Sequence, residues 1–233
     1  MEKESAPAVR GGMARHPAVP YVVPFFAYLA FLGLERYLPS PAEWLQAARF
    51  AIIFALLAVM SRRTIAWRFS NFLGSVLLGG AVFAVWVEPD ILWPAYRESW
   101  PFHNSIVGAA RSSHAAGVKA SLVFITFRVL SSVVNVPVLE ELFWRGWLMR
   151  WLIAKDFLKT PLGAYTRQSF WVVAVLFASE HGPYWDVGLA AGILYNWWML
   201  RTKSLADCIL AHAVTNACLA VYVLRWDQWQ YWL

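Results

Sequence analysis

The sequence predicts an all-α fold, a polytopic transmembrane bundle of seven or eight helices, and three observations lead to this prediction. Hydrophobic residues make up 60% of the 233 residues and charged residues only 15%, against roughly 45–50% and about 25% in soluble domains. Several apolar runs approach or exceed the roughly 20 residues that cross a bilayer core. The fifteen tryptophans are typical of interfacial belts, where indole rings meet lipid headgroups.

Apolar runs predict the helices in chain order, at residues 21–38, 44–60, 69–87, 117–153, 170–181, 187–200 and 205–224. All are expected to be helical, because lipid excludes open strand edges and the alternation of barrel strands is absent. The fourth run is long enough to be two helices. Asn135 and Pro137 in its middle predict a break, since proline breaks or kinks a helix interior. That break would give eight helices instead of seven.

The chain is predicted to divide into four segments: a polar cytoplasmic tail at 1–19, motif-free transmembrane helices at 20–116, a core with all the motifs at 117–225, and a C-terminal tail at 226–233. With the N-terminus in the cytoplasm, thirteen Lys and Arg residues fall on the cytoplasmic side and five on the other, as the positive-inside rule requires. The net charge of +6 therefore reflects topology. No nucleic-acid partner is predicted, because the basic residues form no stripe with interleaved stacking residues.

Polar residues inside the apolar runs are the functional candidates, because a charge at bilayer depth costs about 2.5–3.5 kcal/mol or more. In the first cluster, Glu140 and Glu141 point about 100° apart on a helix, and Glu141 lies four residues before Arg145. One acid can therefore face a cavity while Arg145 holds the other. The second cluster ends in His181, and the third is His212 with Asn216 on one helix face.

Each cluster alone has a simpler interpretation: an ion pair at a helix end, an interfacial imidazole, or a polar helix–helix contact worth roughly 0.6 kcal/mol. The predicted depths of the three clusters in the membrane favour one site to which all of them contribute. With the cytoplasmic interface at residues 150–155, Glu140 and His181 lie about 20 Å deep and His212 about 12 Å deep, at 1.5 Å per residue. Asn196 and Asp186 are further candidates for lining such a cavity.

The order Glu-Glu-x-x-x-Arg, Phe-x-x-x-His and His-x-x-x-Asn on successive apolar helices resembles the CPBP family of intramembrane proteases, which includes the CAAX prenyl proteases. The motifs stand at 140–145, 177–181 and 212–216, and the resemblance covers residues 120–225. The chain also resembles the bacterial branch associated with exosortase systems. These resemblances imply an integral protein of the bacterial cytoplasmic (inner) membrane.

The resemblance implies an endopeptidase that hydrolyses a peptide bond within the membrane. Glu140 and His181 would activate water, and His212 with Asn216 would stabilise the oxyanion. Glu141 and Arg145 would form an orienting pair, with Glu141 a further candidate for catalysis.

No cofactor is favoured, although Glu140, His181 and His212 are the ligand types of a catalytic zinc with one open position. The His-Glu-x-x-His signature of zinc proteases is absent, and Asn216 is a poor zinc ligand but a good oxyanion donor. A serine protease is disfavoured because no Gly-x-Ser-x-Gly turn is present.

The expected partners are the lipid bilayer and a membrane-associated protein or peptide substrate, and the family's founding activity suggests a prenylated, CAAX-like one. The sequence predicts no oligomeric state. The alternative is a non-hydrolytic membrane scaffold or a bacteriocin-type immunity protein, against which the intact set of acid, histidines and asparagine argues. A transporter would also carry polar residues in its helices, but no inverted repeat is visible.

Overall fold

The computed structural model describes residues 16–35, 37–112 and 114–232, and in them the chain folds into eight helices without a β-strand. The helices are α1 (Val19–Glu35), α2 (Ala42–Ser61), α3 (Phe72–Leu92), α4 (Ala116–Ala120), α5 (Leu122–Trp151), α6 (Arg167–Ser179), α7 (Trp185–Thr202) and α8 (Leu205–Trp226). The all-α prediction is confirmed. Residues 1–15 of the predicted polar tail, and Leu233, lie outside the described residues.

Four of these helices, α2, α3, α5 and α8, are long and apolar enough to cross a membrane, and α1 is a shorter apolar helix. Eight of the fifteen tryptophans have exposed side chains: Trp44, Trp67, Trp93, Trp100, Trp151, Trp171, Trp197 and Trp226. The chain is an integral membrane protein.

Helix α5 is continuous over 30 residues, so the predicted break at Asn135 and Pro137 is wrong. A π-helical turn at Ser131–Asn135 precedes the proline, which then occupies the first turn of the α-helical stretch Val136–Glu141. The proline lacks an N–H and its ring crowds the preceding turn. The wider π-helical turn accommodates both effects without ending the helix. The eighth helix is instead the five-residue α4.

Close backbone packing and a buried carboxylate position α8 in the bundle. A Cβ atom on Gly79 of α3 would collide with the Ala211 carbonyl oxygen of α8, so the two helices need glycine at this crossing. Near the start of α8, the buried Asp207 accepts hydrogen bonds from the Ser70 and Asn71 backbone N–H groups, at 2.7 and 2.9 Å, and from the Ser75 hydroxyl at 2.9 Å. These contacts fix the position of α8 along the axis of α3.

A second buried network, the Arg97 cluster, connects the segment after α3 to the beginning of α7. The Arg97 guanidinium donates to Asp90 at 2.9 Å, to Asp186 at 2.5 Å and to the Pro183 carbonyl at 2.8 Å. It also lies over three aromatic rings, those of Tyr96, Phe102 and Tyr184.

The chain after α8 folds back onto the bundle as a short 3-10 helix, Trp229–Tyr231. The Tyr231 hydroxyl donates to Asp90 at 2.7 Å, and the Tyr184 hydroxyl donates to the Gln230 carbonyl at 3.1 Å. This end of the chain is therefore attached to the Arg97 cluster, and it forms one wall of the cavity that holds the candidate site.

Candidate active site

A cavity of about 180 Å³ lies inside the bundle, and the four residues predicted to activate water and stabilise the oxyanion all line it: Glu140, His181, His212 and Asn216. They come from α5, from the turn after α6, and from α8. The convergence expected from their depths is confirmed. The motif-free helices contribute to the walls through Tyr28 of α1 and Trp86 of α3.

Glu140 presents its carboxylate to this cavity beside a histidine of α8. Its Oε2 atom lies 4.0 Å from His212 Nε2. Within the described residues this buried oxygen has no hydrogen-bond partner, and a buried acceptor left alone is costly. A water molecule or a substrate N–H bound in the cavity can satisfy it.

Glu141 points away from the cavity and connects Arg145 to His212. Its Oε1 atom lies 3.1 Å from Arg145 Nη1 and 3.0 Å from His212 Nδ1, and the Glu141 and Arg145 side chains are fully buried. The predicted separation of the two acids is therefore confirmed. Because an ionised carboxylate only accepts, His212 donates through Nδ1 and directs Nε2 towards Glu140.

Besides Glu141, Arg145 contacts groups of α6 and α7. Its Nε donates to Asn196 Oδ1 at 2.9 Å and its Nη2 to the Gly192 carbonyl at 3.3 Å. The guanidinium lies 4.6 Å from the ring centre of Phe177. Asn196 therefore stands behind Arg145 and is not in the cavity wall, contrary to the expectation that it could line the cavity.

Asp186, the other expected lining residue, is also absent from the cavity wall and belongs to the Arg97 cluster.

His181 follows the end of α6, where its ring is oriented by the backbone. His181 Nδ1 lies 2.7 Å from the Phe177 carbonyl oxygen, and because a carbonyl only accepts, Nδ1 carries the proton. Nε2 of the neutral ring is then the basic nitrogen. The ring packs edge-to-face on Trp86 with 5.1 Å between centroids. A Cβ atom on Gly188 would lie 3.1 Å from Nδ1, so glycine leaves room for this orientation.

Asn216 is oriented by one of its two amide hydrogens, through a 2.7 Å bond from Nδ2 to the Ser132 carbonyl. Ser132 lies in the π-helical turn of α5. The second amide hydrogen of Asn216 takes no part in this bond. It can therefore donate to a negative charge that develops in the cavity.

Sequence reasoning did not identify Tyr195, Thr215, Ser132 and Trp86, although all four line the cavity. The Tyr195 ring stacks on His212 with 5.1 Å between centroids, and its hydroxyl donates to Thr215 at 2.7 Å. Thr215 stands within the third motif, but no spacing in the sequence marks the tyrosine as a neighbour of His212.

Zinc binding by Glu140, His181 and His212 stays an untested alternative. Among the residues that the structure describes, no three His, Cys, Asp or Glu side chains come close enough together to hold a metal ion. Glu140, His181 and His212 line one cavity without forming such a group.

An acid, two histidines and an asparagine around one cavity inside a bundle of apolar helices provide a base and hydrogen-bond donors. Residues 122–218 match the family described as Rce1-like, Type II CAAX prenyl endopeptidase Rce1-like. This part of the chain is therefore an Rce1-like domain, and the resemblance to the CAAX prenyl proteases is confirmed. The match supports a membrane protease in general. Neither the curated proteins nor the solved structures give a match to this chain.

Proposed function

We propose that this protein is an intramembrane endopeptidase that hydrolyses a peptide bond in a membrane-associated protein or peptide, using a water molecule activated by Glu140 and His181. One observation carries the proposal: Glu140, His181, His212 and Asn216 line a single cavity. A scaffold or an immunity protein does not need a carboxylate that can act as a base together with hydrogen-bond donors.

In the proposed reaction, water binds between Glu140 and the Nε2 atom of His181. Glu140 takes a proton as the water oxygen forms a bond to the scissile carbonyl carbon, and the carbonyl π electrons move to the oxygen. The C–N bond then breaks, and the proton passes from Glu140 to the leaving nitrogen. Such general-base catalysis contributes about 10²–10⁴-fold in rate.

The oxyanion is proposed to accept hydrogen bonds from His212 Nε2 and from the second amide hydrogen of Asn216. Since Nδ1 of His212 already donates to Glu141, Nε2 can donate only when the ring is an imidazolium. Glu141 and Arg145 are positioning residues in this scheme.

The finer features of the proposal come from the family and the sequence. We propose a prenylated, CAAX-like protein as the substrate class, since the matching family is named for it. We also propose catalysis without a metal, a cytoplasmic N-terminus and residence in a bacterial cytoplasmic membrane. The uneven distribution of Lys and Arg supports the orientation.

The test is cleavage of a mixed library of farnesylated and unmodified peptides by the detergent-purified protein, with and without a chelator. Glu140→Ala and His212→Ala should abolish cleavage, and Asp186→Asn, which alters a half-buried acid outside the cavity, should not. Cleavage that survives the chelator supports the metal-free mechanism. Loss with chelator and rescue by zinc would overturn that mechanism, and wild-type cleavage no greater than that of the variants would favour the scaffold or immunity alternative.

A further inference from the structure

A surface groove lies between α2 and α5, and the described residues that line it are all different from those of the active-site cavity. Its wall on α2 consists of residues three or four positions apart, which share one helix face: Phe54, Leu57, Ala58 and Ser61. Val134 and Val138 of α5 form the opposite wall. The groove has a volume of about 200 Å³, more than the roughly 150 Å³ that holds a benzene molecule. Part of one hydrocarbon chain therefore fits in it.

The groove extends along α2 from the turn that follows this helix towards the middle of the membrane. Arg62 and Trp67 of that turn line one end of the groove. Phe54, at the other end, lies seven residues before Ser61, which is about 10 Å at 1.5 Å per residue. Trp67 exposes 56% of its side chain, as is typical of an indole at the level of lipid headgroups. One end of the groove is therefore at headgroup level and the other among the acyl chains.

Arg62 places a positive charge at the headgroup end of the groove. Its side chain is exposed, and within the described residues no acid forms an ion pair with it. A guanidinium binds a phosphate group through charge-assisted hydrogen bonds, often two in parallel. The neighbouring Arg63 is also exposed but does not line the groove. Arg62 is therefore the residue of this turn that can hold an anion above the apolar walls.

The walls of the groove suit hydrocarbon better than a peptide backbone. The Ser61 hydroxyl already donates to the Pro20 carbonyl at 2.5 Å, and the Asn135 amide donates to the Phe50 carbonyl at 3.0 Å. A peptide in the groove would leave carbonyl groups without donors, which is costly at membrane depth. An acyl chain has no polar group to satisfy.

We propose that this groove binds an anionic phospholipid, with the phosphate at Arg62 and one acyl chain between α2 and α5. A zwitterionic lipid fits the walls equally well, but its own positive group opposes the charge of Arg62. In the proposed orientation the basic turn is cytoplasmic, and anionic lipids give that leaflet its negative surface potential. The site does not depend on the endopeptidase function.

The test is photo-cross-linking of the purified full chain in vesicles of equal parts phosphatidylglycerol and phosphatidylcholine. One lipid at a time carries a diazirine in its acyl chain, and the cross-linked peptides are identified by mass spectrometry. On the groove segments, residues 54–67 and 134–138, phosphatidylglycerol should exceed phosphatidylcholine by about fivefold, the usual effect of one basic residue near an anionic lipid. On the exposed face of α3, at Leu73 and Leu77, the ratio should be about one.

Substitutions at the headgroup end of the groove test the role of the charge. Arg62→Gln should lower the ratio on the groove segments to about one, and Arg62→Lys should retain most of it because the charge remains. Arg63→Gln is the matched control and should leave the ratio unchanged. A ratio on the groove no higher than on α3, or one that Arg62→Gln does not change, would overturn the proposal.

Substitutions in the apolar part test whether the acyl chain lies in the groove. Ala58→Trp fills the groove and should lower cross-linking of both lipids to residues 134–138 by severalfold. Ala55→Trp adds the same ring to an exposed position of α2 that does not line the groove, and should leave cross-linking unchanged. Equal cross-linking in the two variants contradicts binding between α2 and α5.

A photo-reactive side chain in the groove identifies the molecule that occupies it. In Phe54→p-benzoylphenylalanine protein, illuminated in the same vesicles without labelled lipid, the main adduct should have the mass of phosphatidylglycerol. A second copy of the chain or a peptide as the main adduct would overturn the proposal. Neither measurement requires peptide cleavage, so the lipid site and the proposed hydrolysis can fail separately.

Discussion

Two buried arginines of this bundle, Arg97 and Arg145, are surrounded in similar ways but have different consequences. Each guanidinium donates to a side-chain carboxylate and to a backbone carbonyl, and each lies over aromatic rings. In both places the positive charge is removed from solvent and compensated by hydrogen-bond acceptors, including a carboxylate, as a buried ion requires. The arginine and its acid therefore do not by themselves indicate a catalytic site.

The difference lies in the second partner of the carboxylate, the one besides the arginine. Asp186 accepts from Arg97 and from the Tyr96 hydroxyl, so the Arg97 cluster holds a loop against a helix. Glu141 accepts from Arg145 and from His212, which in turn faces a second acid across the cavity. The same ion pair supports a loop in one region and orients a titratable ring in the other. Substitutions at the two sites test this contrast.

The largest effect is expected for Glu140→Gln, which removes the proposed base and keeps the shape of the side chain. We expect kcat to fall by about 10²–10⁴-fold, with thermal unfolding of the detergent-purified protein close to that of the wild type. The measurement is peptide cleavage under single-turnover conditions. Full activity in Glu140→Gln would remove Glu140 from the mechanism and leave Glu141 as the alternative acid.

Asn216→Ala should lower kcat by about 10²–10³-fold, the usual effect of losing one oxyanion donor. Because this interaction is made only in the transition state, we expect KM to change little. Steady-state kinetics on one peptide separate the two parameters. A rise in KM at constant kcat would instead assign Asn216 to substrate binding.

Glu141→Gln and Asp186→Asn form a matched pair that tests directly the partner of each acid besides its arginine. Removing one member of a buried ion pair costs roughly 3–5 kcal/mol, and Asp186 is the more exposed of the two acids, with 17% of its side chain accessible against 0% for Glu141. Both variants should unfold at lower temperature, Glu141→Gln by more. Only Glu141→Gln should lower kcat of the folded fraction, and an equal loss of kcat in both would contradict the contrast.

The smallest effect is expected for Gly188→Ala, compared with Gly80→Ala. The new methyl group of Gly188→Ala would lie 3.1 Å from His181 Nδ1, whereas nothing lies within 4 Å of one on Gly80. A displacement of the imidazole by a few tenths of an ångström should cost about tenfold in kcat, less than the 10²-fold of a 1 Å displacement. Gly80→Ala should retain the wild-type rate, and a similar loss in both would indicate a general packing effect.

Much of this arrangement was predictable from the sequence, because apolar runs and helical spacing are local properties. Seven of the helices coincide with the predicted runs to within a few residues. The i, i+4 spacing predicted the pairing of Glu141 with Arg145, which the structure shows. The similar depths of the motifs predicted that His181 and His212 meet, and both line one cavity. The roles of these residues in catalysis stay a prediction.

The errors concern features that depend on neighbouring helices. Pro137 does not break α5, because a π-helical turn before it accommodates the ring. Asn196 was expected in the cavity and instead holds Arg145. An amide in an apolar helix signals a buried partner, but its spacing in the sequence does not say which helix provides that partner.

Composition and spacing along the chain are enough to predict the class of protein, the helices and the three polar motifs, since bilayer solvation acts on each segment separately. Helix packing determines which acid faces the cavity and which nitrogen of His212 faces Glu140, and it brings Arg128 and the folded-back Trp232 to the same cavity. These features depend on the register between α5 and α8. That register results from contacts between the two helices, such as the bond from Asn216 Nδ2 to the Ser132 carbonyl, which no single helix encodes.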